Sequence, residues 1–204
     1  VKTTFNKYSA YRSMSGMTGA QAAERILHAA GIYDVRVQHV SGNLTDHYDP
    51  SQKVLRLSDT VYGSASVAAI GVAAHECGHA IQHQTGYLPL KIRSSLVPAA
   101  NLGSKLCWPL IVLGLFFSYT FVQAGIIMFC AVVLFQLVTL PVEFNASARA
   151  LCKVEQYGLV TSEEKKGCRK VLSAAAMTYV AAAASTALQV FRLFLLFGNN
   201  KRRD

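Results

Sequence analysis

Two long stretches without a charged side chain divide this chain. No Asp, Glu, Lys or Arg occurs between Lys105 and Glu143, and none between Lys170 and Arg192. An apolar helix needs about 20 residues to cross the hydrocarbon layer, with about 17 as the lower limit. The first stretch therefore predicts two short spans, 104–120 and 124–141, joined by a turn near Ser118-Tyr119-Thr120. The second predicts one span from 171 to between 192 and 197. Leu110-Ile111-Val112-Leu113 and Ile126-Ile127-Met128-Phe129 are apolar on every side, which suits lipid better than a one-sided soluble core. The third span is mostly Ala with Ser and Thr, a composition that favours close helix packing in a bundle.

Ahead of the spans the period changes. Thr18 is placed to cap a helix from Gly19 to about Ala30, with Gly31 as its stop and Ala22, Ala23, Ile26 and Leu27 as its apolar side. Residues 35–40 alternate as a strand, Ser41-Gly42-Asn43 supplies a turn, and 44–48 with 53–57 predict a hairpin around Asp49-Pro50. Residues 64–84 then read as one helix whose face of Val67, Ile70, Gly71, Ala74, Gly78 and Ile81 is small and apolar. The expected fold class is α+β, mainly α: membrane helices with a small antiparallel sheet packed on the helix at 64–84. The expected organisation is one membrane-anchored domain over 1–204. In it, 1–103 carries the sheet and the buried helix, 104–141 is a membrane hairpin, 142–170 is a polar helix, and 171–197 is the third membrane helix.

The hydrophobic share of 52% over 204 residues agrees with that division, being high for a soluble domain. A net charge of +9 invites a nucleic-acid reading, but no basic run interleaves with aromatics and no nucleic-acid module is present. Sixteen of the 20 Lys and Arg lie in residues 1–105 and 142–170, which a hairpin puts on one side of a lipid bilayer. The positive-inside rule makes that side cytoplasmic. Lys201-Arg202-Arg203 conflicts with this if the third span crosses fully. Five Cys form no C-x-x-C pair and imply no disulfide framework, in keeping with a reducing compartment. Residues 1–11 are polar and basic and contain neither a signal peptide nor a span.

The chemistry lies in His75-Glu76-Cys77-Gly78-His79. Residues four apart stack one turn above each other, so both imidazoles can reach one metal ion while Glu76 projects beside it. Two His leave a tetrahedral Zn²⁺ short of one protein ligand and a water, whose proton Glu76 is placed to take. A helix so rich in Ala and Gly is buried, and two buried His with a buried Glu need a compensating partner. Cys77 reads as a small filler. The position six residues beyond His79 is Thr85, with Gln82 in place of a Gly, so the three-His pattern of metzincins is absent. His83 falls near the helix end and reads as a surface His. Among the acids after this helix, Glu155, Glu163 and Glu164 sit in solvated surroundings, whereas Glu143 stands between apolar residues as a span ends. An acid there is costly unless paired or metal-bound, and Glu143 is the expected third ligand. The tetrahedral oxyanion needs a donor, for which His47, Tyr48, Arg149 and Tyr179 are candidates by residue type.

Several longer motifs resemble one family: Ser15-Gly16-Met17-Thr18-Gly19, Leu44-Thr45-Asp46-His47-Tyr48-Asp49-Pro50, Lys53-Val54-Leu55-Arg56-Leu57-Ser58, the His75-to-His79 motif followed by Gly86-Tyr87, and the stretch 139–147. Together they resemble the YugP-type neutral zinc metallopeptidases of bacterial membranes over nearly the whole chain. The resemblance implies a multi-pass enzyme of the bacterial cell membrane, one zinc ion and a polypeptide substrate, with membrane proteins among the possible targets. It also implies one more N-terminal membrane helix ahead of this stretch. A more distant similarity to HtpX and CAAX-prenyl-protease gluzincins implies an Asp four residues after the Glu ligand. Ser147 stands there instead and supports a ligand His less strongly than a carboxylate. The leading expectation is thus a zinc endopeptidase whose sheet packs on a zincin-like active-site helix, with its site on the cytoplasmic side. The competing one is a non-catalytic membrane scaffold or assembly factor stapled by a structural zinc.

Overall fold

A computed structural model describes residues 1–197 and divides the chain into two compact units. The first comprises Val1–Tyr87 and Val142–Met177, and the second Leu88–Pro141 and the chain from Thr178 onward. The chain is mainly helical, with one small sheet. The side of the Lys201-Arg202-Arg203 tail lies outside the described residues.

In the first unit, α1 (Lys2–Ser9) precedes α2 (Gly19–Ala29). Thr18 Oγ1 accepts from Gln21 N, and Gln21 Oε1 accepts from Thr18 N, so two orphan donors of α2 are satisfied reciprocally. Its buried face is Ala22, Ala23, Ile26 and Leu27, and Gly31 follows its end at φ +74°. The strands are β1 (Arg36–Val40), β2 (His47–Asp49) and β3 (Val54–Ser58), in the order β1-β3-β2.

The sheet is mixed, where strand alternation alone suggested an antiparallel one. β2 and β3 form the expected antiparallel pair, but β1 runs parallel to β3, with Val37 opposite Leu55. The reason is burial. β3 hides Val54, Leu55, Leu57 and Ser58 and takes the centre, while both edge strands stay partly exposed. The segment between β1 and β2 therefore crosses the end of β3, where Asp46 receives Ser58 N at 2.7 Å and Ser58 Oγ at 2.9 Å. Asp59 on the short helix α3 (Asp59–Tyr62) receives Gly42 N at 2.8 Å from the same segment. Alternation fixes which face a residue occupies; these staples choose its neighbour.

α4 (Val67–Gln84) lies at the heart of this unit and starts at Ser66, whose hydroxyl accepts from Ala69 N at 3.2 Å. Ile70, Ala73, Ala74, Cys77 and Ala80 join α2, β3 and the neighbouring helical segments in one core.

The second unit holds all of α5 (Leu88–Phe116), the part of α6 (Tyr119–Gln156) up to Pro141, and the C-terminal part of α7 (Ser162–Phe197). Each of these three helices is long and apolar enough to cross a membrane. They overrun the expected spans because a helix does not stop where charges begin. The expected turn at 118–120 falls at Phe117 and Ser118, between α5 and α6. Small residues let these two helices touch: a Cβ on Gly125 would sit 2.8 Å from Cys107 O, and one on Gly114 2.6 Å from Val122 N. Cys107, Ile111, Val122, Ile126 and Phe129 cluster with Val190 and Leu193 of α7. Leu113, Phe116, Ile127, Leu134, Phe191 and Phe194 remain exposed, as side chains facing lipid would be.

Candidate metal centre

α4 and the C-terminal part of α6 meet where α4 has no side chain. A Cβ on Gly78 would lie 2.5 Å from Ala146 O, so only glycine permits this approach. On either side of that contact the two helices present polar groups to each other. His75 and His79, one turn apart on α4, direct Nε2 at Glu143 of α6, whose Oε2 lies 3.3 Å from the first and 3.7 Å from the second. All three potential ligand atoms fall within 4.8 Å of one another. A tetrahedral zinc with bonds of about 2.0–2.1 Å has neighbouring ligand atoms about 3.3–3.4 Å apart, close to the two distances found. Two imidazole nitrogens and one carboxylate oxygen are also the donor types zinc takes, so the residues fit the ion.

The outer nitrogen of each ring is held as well. His75 Nδ1 lies 3.1 Å from Ser147 Oγ, and His79 Nδ1 lies 3.0 Å from Gln82 Oε1. Those contacts turn both Nε2 atoms inward, the usual arrangement around metal-binding His. Burial opposes a charge on His79, yet the Glu143 hydrogen bond and the charges of Glu76 and Glu143 outweigh it and raise its pKa above the ordinary value. The pocket therefore carries a negative potential that a cation would neutralise.

Glu76 is buried beside His75, and no donor among the described residues holds its carboxylate. Cys77 turns away: its Sγ lies 3.5 Å from Ala23 O, and burial pushes its thiol pKa well up. A thiol held protonated is a poor ligand, which agrees with the filler reading.

The candidate oxyanion donors lie on three different elements, β2, α6 and α7. His47 has Nδ1 against Thr45 O at 2.8 Å and Nε2 against Arg56 Nη1 at 3.3 Å, so both nitrogens are engaged at the sheet surface. Tyr48 Oη meets Nδ1 of the exposed His83 at 3.1 Å, and burial, with the charges of Asp34 and Asp49, raises its pKa. Arg149 Nε donates to Asn145 Oδ1 at 2.8 Å, and its guanidinium lies 5.8 Å from the Tyr87 ring centre. Tyr179 belongs to the second unit. Sequence reasoning missed Gln82 and Asn145. Gln82 sits three residues after His79, on the same helical face, and a fully buried amide on so apolar a helix was the available signal.

No solved structure matches this chain. A curated relative from Bacillus subtilis (strain 168), named "Putative membrane protease YugP", is 49% identical over 203 residues, covering 98% of this chain and 90% of the relative. A family described as "Putative neutral zinc metallopeptidase" matches residues 1–198. On that match, which takes in both His of the motif and Glu143, the chain belongs to this family of neutral zinc metallopeptidases.

Proposed function

We propose that this chain is a membrane-bound zinc endopeptidase in which His75, His79 and Glu143 hold one zinc ion and Glu76 is the general base. The observation that carries the reading is the convergence of three ligand atoms, two from imidazoles and one from a carboxylate, within 4.8 Å, with Glu143 buried and both imidazoles partly buried. Zinc held there supplies Lewis acidity and lowers the pKa of water toward neutrality. Glu76 accepts the proton of the attacking water and returns it to the leaving amine. Its carboxylate suits the task because no hydrogen bond among the described residues commits it elsewhere. Ser147 and Gln82 orient His75 and His79 through their Nδ1 atoms.

The cluster offers three side-chain ligands among the described residues, which leaves one tetrahedral position for substrate or water. Structural zinc sites are closed by four protein ligands, so the open position favours catalysis over a scaffold role. The charge distribution supports a site on the cytoplasmic side of a bacterial cell membrane, in a single membrane-anchored domain acting on polypeptides. The direct test is Glu76→Gln in purified protein. Zinc content should equal that of the wild type while peptide cleavage falls by about 10²–10⁴-fold. Cleavage at the wild-type rate would remove Glu76 from the mechanism.

A further inference from the structure

Gln82 is fully buried on an apolar helix, yet every polar atom of its side chain has a partner. Its Nε2 donates to Val142 O at 2.8 Å and to Asn145 Oδ1 at 3.0 Å, and its Oε1 faces His79 Nδ1 at 3.0 Å. Asn145 Oδ1 in turn receives Arg149 Nε at 2.8 Å. The direction of each bond follows from chemistry rather than from the assignment of amide atoms. A guanidinium only donates, so the atom of Asn145 that it meets is the carbonyl oxygen. That oxygen and Val142 O only accept, so the end of Gln82 between them is the amino group. The opposite end of Gln82 is therefore an oxygen, which also only accepts, and His79 Nδ1 must carry the hydrogen. A neutral imidazole has one such hydrogen, so the lone pair of His79 lies on Nε2, the atom that faces Glu143.

We propose that Arg149, Asn145 and Gln82 form a relay of fixed hydrogen-bond polarity that locks His79 in its metal-binding tautomer and ties the backbone beside Glu143 to the same helix. The inference rests on the zinc reading above and deepens it by naming positioning residues. His75 has no such lock, because the Ser147 hydroxyl against its Nδ1 can either donate or accept. Polarity therefore enters the site from the Arg149 side only. Arg149 lies near Tyr87, whose ring it approaches to 5.8 Å, so the source of the relay is itself held.

The test uses the full chain purified in detergent, with zinc affinity read by competition against a chromophoric chelator. The absorption spectrum of the Co²⁺-loaded protein serves as a second readout. Gln82→Met, which keeps the volume and removes both polar ends, should weaken zinc binding by about 10–100-fold and alter the Co²⁺ spectrum as the His79 ring is released. Asn145→Leu should weaken binding in the same direction. Asn145→Asp keeps acceptor oxygens toward both donors and should restore most of what Asn145→Leu loses. Arg149→Met cuts the relay at its half-buried end without opening the core. It should lower zinc affinity while leaving the melting temperature of the metal-free protein unchanged. Wild-type affinity and spectrum in Gln82→Met and Arg149→Met would overturn the relay, as would an Asn145→Asp chain that binds zinc as poorly as Asn145→Leu. A wild-type chain that takes up no zinc would overturn the reading beneath it, and the relay with it.

Discussion

In the proposed ligand set, Glu143 would bring the formal negative charge that two imidazoles lack, from a position only 3% exposed. Exchanging it for an amide keeps the shape and removes the charge. Glu143→Gln should therefore weaken zinc binding by more than the about 10–100-fold expected for an outer partner, whereas Ser147→Ala should cost about tenfold. Equilibrium dialysis against buffered zinc would rank the two, and equal losses would argue that Glu143 is not a ligand. That His75 and His79 lie together was legible from spacing alone, because helical geometry dictates which residues share a face. Glu143 was legible from cost: an acid at the edge of a charge-free stretch needs a reason. Gln82 was not, since its targets are backbone and side-chain groups on α6, 60 or more residues away in sequence. No local pattern carries that information.

At the scale of elements, the site depends on how closely α4 and α6 cross. Two glycines of α4 give opposite expectations. A Cβ at Gly78 would meet Ala146 O at 2.5 Å, while one at Gly71 would lie at ordinary contact, 3.4 Å from Cys168. Gly78→Ala must push the helices apart, costing about 1–3 kcal/mol and spreading the ligands so that zinc binds poorly. Gly71→Ala makes only ordinary contacts, its nearest backbone atom being Cys168 Cα at 3.5 Å, and replaces a poor helix former, so it should be neutral or stabilise by up to about 1 kcal/mol. Denaturant midpoints of the two metal-free variants would separate the cases, and a Gly78→Ala protein as stable as the wild type would show that the crossing is not tight. The sequence revealed the small face of α4 but not which glycine served the crossing, since composition is silent about the partner. The mixed sheet has the same cause: the pattern marked the strands, and pairing was decided by the burial of β3 and by Asp46.

For the whole molecule, helix length decides how much can lie in a bilayer. α6 has 38 residues, and at about 1.5 Å per residue it is nearly twice as long as the about 30 Å hydrocarbon layer is thick. Only part of it can span, and its charge-free part, which ends before Glu143, is the part that costs least to bury in lipid. The residues beyond, which include Glu143, Ser147 and Arg149, belong to the unit that carries α4. With most Lys and Arg in 1–105 and 142–170, the positive-inside rule assigns Cys152 to the cytoplasm and the α5–α6 turn at Ser118 to the outside. Cys152 is exposed and Ser118 lies at that turn, so both can report. A membrane-impermeant maleimide added to intact cells should modify a Ser118→Cys chain in which Cys152 is replaced. The chain with Cys152 as its exposed thiol should react only after the membrane is opened. Labelling in the reverse order would put the site on the outer face, and with it the peptides that the enzyme meets.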